Sequence, residues 1–210
     1  MRRLAPRLAA GLVTLASFGL VSTPSVAETA ARTIVFLRHG EKPEAGLGQL
    51  SCQGLNRALA LPPVLTKLFG RPSALFAPDP SKRKKDSGIS YDYIRPLATI
   101  EPTAIALGMP VDTRFGYDDI DDLKTELEKP DYAGKLVIVA WEHKQIVKLA
   151  RQLLSDNGGD DETVPKWHGE DFDSLYVLRI GDDKKGLGAT FEKMAEGLDG
   201  RPETCPTPAK

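Results

Sequence analysis

Leu136-Val137-Ile138-Val139-Ala140 is a continuous apolar, largely β-branched run with no polar alternation. A strand of that kind must be covered on both faces, as in a mainly parallel sheet flanked by helices. Thr33-Ile34-Val35-Phe36-Leu37 is a second run of the same type. It ends at Arg38-His39-Gly40 and reads as a buried strand followed by a loop. Ser51 precedes a helical apolar pattern through Leu55, Ala58, Leu59, Leu65 and Leu68, with Pro62-Pro63 predicted to bend or interrupt it and Gly70 to stop it. Ser73 to Ala77 reads as a short strand, and the Lys-, Pro- and Ser-rich stretch from Pro78 to Ser90 as a loop. Helices are predicted over Leu97 to Leu107, Asp118 to Glu128 and Gln145 to Leu154, and a late strand over Ser174 to Ile180. This order predicts an α/β fold, a three-layer α/β/α sandwich around a mostly parallel central sheet. No internal repeat and no second domain is visible.

Residues 1–27 are set apart from that domain. Arg2, Arg3 and Arg7 form a basic start, and an apolar run follows from Leu8 to Val21. The run is shorter than the roughly 20 residues a membrane span needs. Pro24 breaks it, and Ser25-Val26-Ala27 supplies small residues for a signal peptidase. The pattern predicts a cleavable signal peptide over 1–27, a single domain over 28–210, a periplasmic or secreted location, and no membrane anchor after cleavage. Taking three arginines from 28 basic residues leaves 25 against 29 acidic, a formal charge of −4. An anionic ligand would then be drawn by a local basic site and not by the surface as a whole, and nucleic-acid binding is disfavoured. Export also opens the way to a disulfide between the two cysteines, Cys52 and Cys205.

In open α/β sheets, ligands bind beyond the carboxyl ends of the strands. Two of the three histidines stand there: His39 in Arg38-His39-Gly40-Glu41, and His143 in Trp141-Glu142-His143-Lys144. His168, in a loop before the last strand, reads as structural. Phosphoryl transfer needs a nucleophile and cations around the equatorial oxygens. Arg38 and Arg95 supply guanidinium forks that match phosphate, and Gly40 lets the backbone approach a ligand. No zinc-ligand spacing, Walker loop, Rossmann glycine pattern or nucleophile elbow is present, so no metal or cofactor is expected.

These residues resemble the histidine phosphatase superfamily, the phosphoglycerate-mutase-like proteins. Arg38-His39-Gly40 matches its signature at the end of the first strand. Leu50 to Ala58 (LSCQGLNRA) resembles its next element, Arg95-Pro96-Leu97-Ala98-Thr99 its second arginine and helix start, and His143 its second histidine. The resemblance implies a phosphoglycerate-mutase-like fold. It further implies a phosphatase in which His39 attacks phosphorus and becomes a phosphohistidine, while Arg38, Arg95 and His143 line the phosphate pocket. The expected ligand is a small phosphorylated substrate.

The leaving-group acid departs from the family pattern, because Lys144 follows His143 where one branch has an aspartate. Glu142 is the first candidate, with Asp118 and Asp119 behind it. Lys42 is a candidate for the rest of an anionic substrate. The Lys82-Arg83-Lys84-Lys85 run is expected to be a solvated face, and Glu41 either orients Arg38 or is exposed. Two other readings stay open: a phosphomutase, and a weakly catalytic phosphate-binding sensor on the same fold.

Overall fold

A computed structural model describes residues 31–181 and 188–207. The leader expected at 1–27 lies outside the described residues. Among the described residues, seven strands and four α-helices follow one another as β1 (Arg32–Arg38), α1 (Cys52–Phe69), β2 (Ala74–Phe76), β3 (Arg83–Asp86), β4 (Ile89–Asp92), α2 (Arg95–Leu107), α3 (Ile120–Leu127), β5 (Leu136–Trp141), α4 (His143–Asp156), β6 (Ser174–Ile180) and β7 (Ala189–Ala195). The main sheet has the order β2-β5-β1-β6-β7. β2, β5 and β1 run parallel, β6 runs antiparallel to β1, and β7 pairs antiparallel with β6 and so points the same way as β1.

Alternation along the central strands builds two cores. Ile34, Phe36, Val137, Val139 and Trp141 face one side and pack with α3 and α4 residues such as Leu123 and Leu149. Val35, Leu37, Ile138 and Ala140 face the other, against Leu61 and Leu65 of α1 and Ile100 of α2. The fold is the expected three-layer sandwich. Both faces of β1 and β5 are covered, which is why their sequences lack polar alternation.

Three local features differ from expectation. Pro78 to Ser90 is no plain loop, since β3 and the first half of β4 lie within it as part of a hairpin. Its strands are polar, so no apolar alternation announces them. β7 is likewise an edge strand with little buried surface. Pro62 and Pro63 do not interrupt α1, which runs as one helix from Cys52 to Phe69. Ser51 caps that helix by accepting from the Gly54 N–H at 3.2 Å, and Gly70, at φ 82°, ends it.

The direction of β6 matters for the site. After α4 returns the chain to the amino end of the parallel strands, residues 157–173 carry it back to the carboxyl end. β6 therefore starts where β1 finishes, with Leu175 opposite Leu37, and His168 to Phe172 arrive beside Arg38.

Candidate active site

β1 and β5 are adjacent and parallel, with Arg38 opposite Trp141. The residues following each strand thus emerge at one edge, and the His39 N–H donates to the Trp141 carbonyl at 3.2 Å. His39 is buried, only 3% exposed. Its Nδ1 lies 2.8 Å from the Gly40 carbonyl oxygen. A carbonyl only accepts, so Nδ1 carries the proton and Nε2 keeps its lone pair. Arg95 Nε donates to that Nε2 at 3.2 Å, which requires the same tautomer. Burial and then the Arg95 charge hold the ring well below the usual histidine range; Arg38 and His143 add to this, against the Gly40 contact.

The loop carrying His39 is fixed by close backbone packing. A Cβ on Gly40 would lie 3.0 Å from the Gly54 carbonyl oxygen, and one on Gly54 would collide with the Glu41 backbone. The Gly40 N–H donates to Thr99 Oγ1 at 2.9 Å, and that hydroxyl donates to the Arg95 carbonyl at 2.8 Å. One threonine thereby locks the His39 loop to the start of α2.

Both arginines are buried and oriented. Arg38 Nη1 contacts the carbonyl oxygens of Gly169 at 2.6 Å, Asp171 at 2.9 Å and His168 at 3.4 Å. The guanidinium stacks 3.9 Å from the Phe172 ring centroid. His168 thus reaches the site through its backbone. Arg95 Nη1 lies 2.6 Å from Asp86 Oδ2, an ion pair out of line for a hydrogen bond, and Asp86 Oδ1 accepts from Lys42 Nζ at 2.6 Å. Lys42 is therefore held in an ion pair. The Tyr93 hydroxyl is buried with no partner among the described residues, and its ring stands edge-on to His39 at 6.1 Å between centroids.

Glu142 follows β5 as the cap of α4. Its Oε2 accepts from the Gln145 N–H at 3.0 Å, and its Oε1 lies 3.0 Å from His143 Nδ1. Burial opposes ionisation, but the His143 contact and charge, the Lys84 charge and the Gln145 N–H outweigh it and hold the carboxyl at about 2. Glu142 reaches the site, yet as an ionised group it suits orienting His143 better than protonating a leaving group. Asp118 and Asp119 are exposed. Asp119 Oδ2 accepts from the Gly116 N–H at 2.8 Å, and neither is hydrogen-bonded to His39 among the described residues.

Two sequence expectations are corrected. Glu41 neither orients Arg38 nor stands free, because Arg57 holds it in a fork with Nη2 at 2.7 Å and Nε at 3.0 Å. Arg57 is fully buried and also reaches Asp173, Glu196 and Asp199. The Lys82 to Lys85 run is only partly a solvated face. Lys84 turns inward, with its Nζ 4.3 Å from the Tyr117 ring centroid and 5.5 Å from that of Tyr93. Behind the site, Cys52 and Cys205 form a disulfide across 153 residues, their Cα atoms 4.5 Å apart. Asn56 Nδ2 donates to the Pro202 and Thr204 carbonyls at 2.9 and 2.8 Å, docking the C-terminal segment on α1. No group of three or more His, Cys, Asp or Glu residues suited to a metal ion occurs among the described residues.

The chain matches no family model and no curated protein sequence. Solved structures do match. Mycobacterial glucosyl-3-phosphoglycerate phosphatase in complex with inorganic phosphate aligns with TM-score 0.54 and 18% identity, over 77% of this chain and 96% of that one. Plasmodium falciparum phosphoglycerate mutase aligns with TM-score 0.52 and 14% identity, over 85% and 98%. A Nakamurella multipartitia protein assigned as phosphohistidine phosphatase SixA aligns with TM-score 0.51 and 17% identity, over 80% and 97%. Together with the sheet order, these alignments give the chain a phosphoglycerate-mutase-like fold.

Proposed function

We propose that this chain is an exported phosphatase that hydrolyses a phosphate monoester or a phosphohistidine through a phosphohistidine formed on His39. One observation carries the reading: the Nδ1 proton of His39 is committed to the Gly40 carbonyl, which leaves an unprotonated Nε2 facing Arg95. The fold-mates named as phosphatases and a mutase support the same chemistry. Export rests on the leader pattern of residues 1–27.

In the first step, the Nε2 lone pair forms a bond to phosphorus while the bond from phosphorus to the leaving group breaks, to oxygen in a monoester or to nitrogen in a phosphohistidine, and the bonding pair departs with that atom. The ring stays attached to Gly40 through Nδ1, so its orientation is unchanged as it gains positive charge. Arg95 turns from Nε2 to the equatorial oxygens, joined by Arg38 and His143. In the second step, water attacks phosphorus, the N–P bond breaks, and His39 returns to its neutral form as phosphate leaves. An ionised Glu142 favours substrates whose leaving group needs little help from an acid, such as aryl phosphates or phosphohistidine. In a mutase, a substrate hydroxyl would take the place of water in the second step.

The test is turnover of p-nitrophenyl phosphate by the mature protein. His39→Ala should lower it by about 10³-fold or more, and label from a phosphorylated substrate should appear on His39 in acid-labile form. Label only on a serine would overturn the mechanism. Phosphate binding without turnover of aryl, alkyl or phosphohistidine substrates would favour a sensor.

A further inference from the structure

Lys84 is the one member of its basic run that turns inward. β3 alternates, with Arg83 and Lys85 exposed, Lys84 half-buried and Asp86 buried. Its ammonium lies over the rings of Tyr117 and Tyr93, and Tyr93 in turn stands edge-on to His39. Among the described residues, no carboxylate lies within ion-pair distance of it, whereas neighbouring Lys42 and Arg95 both share Asp86. Burial lowers its affinity for a proton; the charges that face it are Glu142 and Asp118, which favour the cation, and Arg95 and Lys144, which oppose it. A half-buried ammonium without a bonded anion is costly unless a ligand supplies one. Lys144, exposed at the start of α4, extends the basic rim, and with Val147, Lys166 and Trp167 it lines a cavity of about 230 Å³.

We infer that Lys84, backed by Lys144 at the rim, forms a second anion subsite beside the phosphate pocket, so that the preferred substrate carries a carboxylate or a second phosphate on its leaving group. The inference rests on the phosphatase reading for its chemistry, but the subsite itself is a matter of binding. Arg38 and Arg95 hold the phosphoryl group to be transferred. Lys84 meets the second anion from the hairpin side, over the aromatic wall of Tyr93 and Tyr117. Carboxylate and phosphate are both served by an ammonium, which is a point charge without the planar preference of a guanidinium.

The experiment uses phenyl phosphates that carry a carboxylate, a carboxamide, a second phosphate or a hydroxyl at the meta or para position, all leaving groups that need little help from an acid. kcat/KM is measured with wild type, Lys84→Met and Lys84→Arg; affinity is measured by calorimetry on His39→Ala with and without Lys84→Met. The best acid or bisphosphate should exceed its neutral partner by about tenfold, the worth of one charge-assisted hydrogen bond, mainly through KM. Lys84→Met should erase the preference, Lys84→Arg should keep part of it, and p-nitrophenyl phosphate should respond little to either. The acid and bisphosphate arms tell which anion the subsite takes. If esters are hydrolysed but acid and amide are treated alike, or if Lys84→Met leaves the preference intact, the subsite is wrong and the phosphatase reading stands. If nothing is hydrolysed while the anionic compounds still bind more tightly through Lys84, the phosphatase reading fails and the subsite stands.

Discussion

Arg95 and His39 meet nitrogen to nitrogen at 3.2 Å, Nε donating to Nε2. The guanidinium thus occupies at rest the direction from which phosphorus would approach. Its other end is held by Asp86, so how readily Arg95 turns towards a ligand depends on that carboxylate. Asp86→Asn weakens the hold without emptying the space. It should lower kcat on an aryl phosphate by about ten- to a hundredfold, less than the 10²–10³-fold typical of losing a stabilising donor outright, and it should also lower the melting temperature, because Arg95 and Lys42 lose the buried charge they share. An unchanged kcat would show that Arg95 is positioned without Asp86.

The neutral state of His39 sets a pH dependence. An unfolded histidine takes up its proton near pH 6.5, and folded His39 does so only at lower pH. As pH falls below 6.5, the unfolded chain binds the proton first and is favoured. The stability tied to a neutral His39 is complete above that value and declines below it. The acid limb of kcat/KM, which reports the free enzyme, should likewise lie below pH 6.5, because Nε2 stays unprotonated there. A pH–rate profile and denaturant titrations from pH 4 to 8, with His39→Asn as reference, check both. A limb at or above 6.5 would contradict the burial argument.

Arg57 gathers four carboxylates around one guanidinium: Glu41, Asp173, Glu196 and Asp199. One positive charge does not neutralise four negative ones. Burial, reinforced by Asp173 and Glu41 and opposed by Arg57, pushes the Glu196 carboxyl up to about 8. The unfolded chain releases this proton near 4.5 and the folded chain near 8, so stability should fall as pH rises through that interval. Glu196→Gln keeps the shape and removes the titration. Its melting temperature should flatten between pH 5 and 8 relative to wild type, with a gain at pH 8. Parallel curves for the two proteins would mean that Glu196 is ionised throughout.

The Cys52–Cys205 bridge closes a long stretch of chain, 153 residues apart in sequence. Reduction should cost about 2–4 kcal/mol of stability, by the usual worth of such a cross-link. Melting with and without reductant checks this. The wild type should lose stability, while a Cys52→Ser/Cys205→Ser protein should be low in both conditions and indifferent to reductant. Equal melting of wild type in the two conditions would mean that the Asn56 contacts alone hold the C-terminal segment.

The site was legible where it grew from strands that are apolar on both faces. β1 and β5 declare themselves by composition, and their ends deliver His39 and Glu142-His143 without further information. β3 was illegible because it is charged: Lys84 and Asp86 face aromatic rings and an arginine, partners that only the tertiary structure supplies. Arg57 was missed for the same reason. It lies within the stretch whose family resemblance is visible, but its four acids are spread from 16 to 142 residues away in sequence. The antiparallel course of β6 depends on where residues 157–173 return the chain, which strand periodicity does not encode.

Lys84 and Asp86 are two positions apart on one strand, and therefore on one face of it. The proposed reader of the leaving group and the residue that restrains Arg95 travel as a single rigid piece. A one-residue slip of the hairpin would turn both away at once. A homologous hairpin grafted here to change selectivity would therefore alter turnover as well, unless it carried an acid at the second of these positions.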